Sequence, residues 1–85
     1  MEAMYQEVKE KIKVMAVFDG GKVVPKVFKW SGRDYKVSNI NIVYEEHEGK
    51  AVNYFFSVTC ARGGVFKLKY NDIKLIWVLE EYWLE

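Results

Sequence analysis

The only histidine, His47, stands among Glu45, Glu46 and Glu48, an imidazole and carboxylates of the kind that ligate divalent cations. In an extended strand, however, Glu45 and Glu46 point to opposite faces, and a structural zinc site draws on more Cys and His than the one of each found here. A solvated acidic turn is the reading these residues favour. Cys60 lies two residues before Arg62, a cation that would favour the reactive thiolate. It is also in phase with Val52, Tyr54, Phe56 and Val58, which makes it a buried, inert thiol. Glu80 and Glu81 are adjacent, so a strand turns them to opposite faces and a helix sets them about 100° apart. Neither arrangement gives a cooperating acid and base. Arg62-Gly63-Gly64 and Gly32-Arg33 could form backbone nests for an anion. Their spacing matches neither a P-loop nor a dinucleotide fingerprint, and tight hairpin turns account for them. No acid, base, nucleophile and metal set assembles from these residues, so the expectation is a protein that is not an enzyme and uses no cofactor or metal.

Binding chemistry has more support. Between Lys9 and Lys36 stand eight basic residues against three acidic ones, although the whole chain carries a net charge of only +1. Lys22, Lys26, Lys29, Arg33 and Lys36 gather around two neighbouring hairpins, with Arg62 on a later turn. Small β barrels bind single-stranded nucleic acid by joining such charge to exposed aromatics, and Phe55, on the less apolar face of its strand, is the candidate for stacking. A second class of partner is a protein, including another copy of the chain. The run from Ile73 to Leu84 is apolar on both faces, and with Phe55 it offers Ile76, Trp77, Val78 and Tyr82 as an oligomer interface.

These side chains have to be positioned by one small domain, because 85 residues do not hold two cores. Three Trp, six Tyr and five Phe supply bulk for a core in so short a chain. No apolar run reaches the ~20 residues needed to cross a bilayer as a helix. The acidic start Met1-Glu2-Ala3-Met4-Tyr5-Gln6-Glu7 does not read as a secretory signal. With the lone thiol of Cys60, this points to the cytoplasm.

The elements are read from periodicity. Residues 1–10 are ambiguous: Met1, Met4, Tyr5, Val8 and Ile12 share a face at helical spacing. From Lys11 the period is two, with Ile12, Val14, Ala16 and Phe18 on one side, up to the turn Asp19-Gly20-Gly21-Lys22. A strand follows from Lys22 to Trp30, with Val24, Phe28 and Trp30 facing one way and Pro25 at an edge, bulge or break. After Ser31-Gly32-Arg33-Asp34, the strand from Tyr35 to Glu46 slips phase: Tyr35 and Val37 face in, then Ile40, Ile42 and Tyr44. A bulge at Ser38-Asn39 would account for the slip. Val52 to Cys60 alternates most clearly; Val65 to Tyr70 alternates again, and after a short turn at Asn71-Asp72 the last run, Ile73 to Leu84, favours a strand over a helix. Turn signals at roughly ten-residue spacing predict an all-β antiparallel meander of about six strands, curled into a partly closed barrel.

The run Pro25-Lys26-Val27-Phe28-Lys29-Trp30-Ser31-Gly32-Arg33-Asp34-Tyr35-Lys36-Val37, with Asp19-Gly20-Gly21 before it and Val65-Phe66-Lys67-Leu68 and Trp77 with Leu79 after it, resembles a bacterial family of small uncharacterised β domains. Those domains are associated with the neighbourhood of Y-family translesion DNA polymerases. The resemblance runs from about Ile12 onward and departs from the family pattern by lacking a Trp between Val43 and Gly49. It implies the β fold and a link to DNA transactions, and it assigns no site residues.

Overall fold

A computed structural model describes residues 4–84, and over that span the protein is all β. Six strands follow one another as β1 (Met4–Asp19), β2 (Lys22–Trp30), β3 (Arg33–Glu48), β4 (Ala51–Cys60), β5 (Val65–Asn71) and β6 (Ile76–Leu84). Each is antiparallel to its neighbour, and β6 returns to pair with β1, so the meander closes into a ring. The helical alternative for residues 1–10 is not what the described part adopts. Tyr5, Gln6 and Glu7 lie in register with Trp83, Tyr82 and Glu81 of β6, which supplies the ladder that helix-favouring residue types cannot form alone. Met1 lies outside the described residues.

The inward set of β4 is as its alternation requires: Phe56, Val58 and Cys60 are buried, and Val52 and Tyr54 are half-buried beside them. Phe66 and Leu68 of β5 and Trp77 and Leu79 of β6 complete the floor of the core. At the end where β2 turns into β3, Phe66 sits among four rings: Tyr35 at 5.2 Å, Phe28 at 5.3 Å, Tyr82 at 5.6 Å and Trp30 at 6.5 Å between centroids. Such offset and edge-on pairs add to the area they bury.

Bulges decide where several side chains go. The β1–β2 register shifts beside Pro25, so Lys26 is the extra residue and the phase reverses. Val23, rather than Val24, therefore packs on the core. In β3 the register with β4 shifts twice, at Ser38 and again at Asn41. The first shift is where the sequence pattern places it. The second turns Val43 to the inner side and leaves Ile42 and Tyr44 outside, correcting the expected inward set of Ile40, Ile42 and Tyr44. Asn41 donates to Thr59 Oγ1 at 3.0 Å and accepts from Asn39 at 2.6 Å, side-chain bonds that tie down the second irregularity. A further bulge, at Glu80, brings Tyr82 inside opposite Phe66.

The turn before β6 is longer than Asn71-Asp72. Asn71 Oδ1 accepts from the Ile73 and Lys74 amides at 3.0 and 2.8 Å, and Leu75 closes the turn at a positive φ of 57°. Ile73 and Leu75 are thus exposed turn residues, not the start of a strand. Asparagine side chains compete for local backbone amides in this way, which is why the turn outlasts the apolar pattern.

Candidate functional site

The basic residues sort into three places. Lys29 projects outward from β2, directly opposite Lys13 of β1, and Lys36 of β3 stands opposite Val27 on the same outer surface. Lys11 precedes Lys13 by two residues on β1, and Lys26 occupies the bulge next to them. All five are exposed. Two like charges directly opposed on an antiparallel pair cost up to about 1 kcal/mol, so the Lys13–Lys29 row is an expense for the fold alone. Among the described residues none of the five forms an ion pair, and Asp34, opposite Lys29, makes none either. Lys9 and Lys69, by contrast, both reach Glu80, at 3.6 and 3.8 Å. Arg33 and Arg62 stand apart at the end of the barrel, where the Arg62 guanidinium lies 5.8 Å from the Tyr35 ring centre. Lys22 is at the opposite end, on the β1–β2 turn.

Phe55 does not join this surface. It lies on the outer side of β4 but is only 7% exposed, because Tyr44 stacks on it at 4.9 Å and the Lys67 ammonium sits 5.2 Å from its ring centre. The Tyr44 hydroxyl beside that ammonium raises the Lys67 pKa above the ordinary lysine value. A base cannot stack on Phe55 without displacing both neighbours, so its expected role is corrected. The lysine row carries Met15 and Val27 between its charges, and no ring.

The apolar face expected of the C-terminal strand is also divided. Trp77 is buried inside and Tyr82 turns inward, which leaves Ile76 and Val78 half-buried on the outer side. The exposed apolar surface is elsewhere: Phe18 and Val17 near the β1–β2 turn, Ile42 and Val43 on β3, and Ile73 and Leu75 before β6. The second bulge of β3 and the Asn71 turn put Ile42, Ile73 and Leu75 outside, and neither was evident from alternation.

Two of the exposed apolar residues, Phe18 and Val43, flank a seam in the ring. β2 pairs with β3 only over Val27–Trp30 and Arg33–Lys36. Beyond that, Lys22–Val24 are paired only with β1, and Val37–Glu48 only with β4. Between the two free edges lies a cavity of about 610 Å³, within the range of ligand sites. Phe18, Val23, Ile40 and Val43 form its walls, and Tyr54, Phe56 and Tyr70 its floor. Lys22, Glu45 and Asp72 are its charged residues. Asp72 is held in place by accepting the Val52 amide at 2.8 Å.

The remaining sequence candidates are placed as follows. Glu45 and His47 approach to 4.0 Å on the exposed end of β3, while Cys60 ends β4 at the far end of the same hairpin, roughly 25 Å away along a strand. Burial pushes the Cys60 thiol from 9.0 up to about 11, which leaves it protonated and unreactive near neutrality. Among the described residues, no three of the His, Cys, Asp and Glu side chains gather in a group able to hold a metal ion. The turn after Cys60 spends its donor internally, Gly63 N–H on the Cys60 carbonyl at 2.9 Å, so it is a closed hairpin rather than an anion nest. No described helix is long and apolar enough to cross a membrane. No family model, curated protein or solved structure matches the chain.

Proposed function

We propose that the protein is a non-catalytic binding module that holds the phosphate backbone of single-stranded nucleic acid on the outer surface of β1, β2 and β3. The observation that carries this reading is the Lys13–Lys29 row, extended by Lys11, Lys26 and Lys36: five exposed lysines that form no ion pair among the described residues, even with Asp34 opposite Lys29. The phosphates of a polyanion offset the repulsion within the row, and the counterions they release favour binding further. Without an aromatic platform in the row, binding rests on charge and carries little base preference. The resemblance to domains near translesion polymerases points in the same direction, and the lone buried thiol suits the cytoplasm.

Fluorescence anisotropy with a labelled oligo-thymidine tests this. Substituting Lys13, Lys29 and Lys36 together by Ala removes three phosphate contacts, which flattens the salt slope by about 2 and removes roughly 20-fold of the affinity change between ~50 and ~200 mM salt. Lys50→Ala with Lys74→Ala, on turns at the other end of the molecule, leaves the slope unchanged. Binding that ignores salt, or that survives the triple substitution intact, removes the proposal.

A further inference from the structure

We infer that the seam between β2 and β3 is a docking site for an extended segment of another polypeptide, one that alternates apolar residues with lysine or arginine. The edge of β3 is the first ground. From Ile42 to Glu48 its register with β4 is unbroken, so it presents a regular row of backbone donors and acceptors with no strand on the other side among the described residues. Exposed edges of this kind are normally blunted by Lys, Pro or a bulge. The facing edge of β2 has all three in Lys22, Pro25 and the bulge at Lys26, whereas Ile42–Glu48 has none. The β2 edge is closed to strand addition, while the β3 edge is guarded only by its carboxylates, a charge that a cationic strand neutralises.

Side-chain chemistry then selects the occupant. An added strand directs every second residue into the cavity, where Val43, Ile40 and the Tyr54 and Phe56 rings call for apolar groups. The same edge carries Glu45, Glu46 and Glu48, and Asp72 faces the cavity from the next turn. Against them stands Lys22 alone among the cavity's residues. The surplus of carboxylate favours a cationic strand and disfavours an acidic one. It also disfavours this edge pairing with itself in parallel, which would align the acidic ends of two copies.

The probes are two blocked synthetic peptides with the same valines, Lys-Val-Lys-Val-Lys-Val-Lys and Glu-Val-Glu-Val-Glu-Val-Glu, and a version of the first with its central Val replaced by Pro. Titration into the labelled protein is followed by amide NMR shifts. The lysine peptide is expected to shift the Ile42–Glu48 amides and to bind about tenfold more tightly than either other peptide. Glu46→Lys, at an exposed side chain on the outer face where the peptide's lysines lie, should narrow or reverse that preference without unfolding the chain. Equal affinity for the lysine and glutamate peptides overturns the inference, as do shifts confined to residues outside the seam. A protein whose Ile42–Glu48 amides shift on dilution alone, because two copies already pair there, overturns it as well.

Discussion

Phe66→Ala lowers the unfolding free energy by about 3–5 kcal/mol, the range for emptying an aromatic site in a packed core. For a domain of this size total stability is about 4–13 kcal/mol, so the variant is left close to unfolding at ordinary temperature. The effect belongs at the upper end because Phe66, 2% exposed, is the ring that Phe28, Trp30, Tyr35 and Tyr82 all meet, from β2, β3 and β6. Removing it empties the junction of strands that cannot move together to refill it. Urea titration followed by tryptophan fluorescence reads the loss directly. Phe18→Ala, at a ring 68% exposed, serves as the control and stays within about 0.5 kcal/mol of the parent. If the two variants prove equally stable, the packing described for this end of the barrel is mistaken.

Gly64→Ala costs about 2–4 kcal/mol, and Gly63→Ala clearly less. Both glycines have positive φ, 88° and 102°, so an alanine is strained at either position. Only Gly64 is also crowded: a Cβ there would come within 2.7 Å of Leu84 Cδ2, 3.1 Å of Phe66 Cε1 and 3.3 Å of the Trp83 carbonyl. Leu84 can rotate, but Phe66 is held by its four rings and the carbonyl is main chain. Around Gly63 there is nothing within 4 Å, which leaves backbone strain as its whole penalty. Thermal melts of the two variants side by side separate the terms. A Gly63→Ala loss as large as that of Gly64→Ala would mean that the close approach contributes nothing.

The sequence made much of this fold legible because period-two alternation is a direct consequence of the pleat. The buried set of β4, the inner residues Ile12, Val14 and Ala16 of β1, the six-strand meander and the bulge near Ser38 all follow from it. Alternation fails where a strand gains a residue, since every side chain beyond the bulge changes face. Asn41, Lys26 and Glu80 did this to Ile42, Val24 and Tyr82, and nothing in their types announces it. The start of the first strand, up to residue 10, was hidden for another reason: its local preferences are helical, and there only β6, 76 residues away at the Tyr5–Glu81 hydrogen bond, supplies the ladder. Of the candidate surface, Lys29 and Lys36 could be read as outward lysines on neighbouring strands. That Lys13 opposes Lys29 depends on register, and that Phe55 is roofed by Tyr44 and Lys67 depends on packing from two other strands. The seam lay beyond reach of sequence, because it exists only where two paired strands part.

Both binding readings depend on a ring laddered all the way round except between the outer halves of β2 and β3. Amide hydrogen exchange at low protein concentration tests that geometry residue by residue. The amides of Phe56, Val58, Phe66 and Leu68 should exchange only through global unfolding, while alternate amides from Ile42 to Glu48, those turned away from β4, exchange orders of magnitude faster. Uniform slow exchange along the whole of Ile42–Glu48 in the monomer would show that edge already covered, and the seam would not exist.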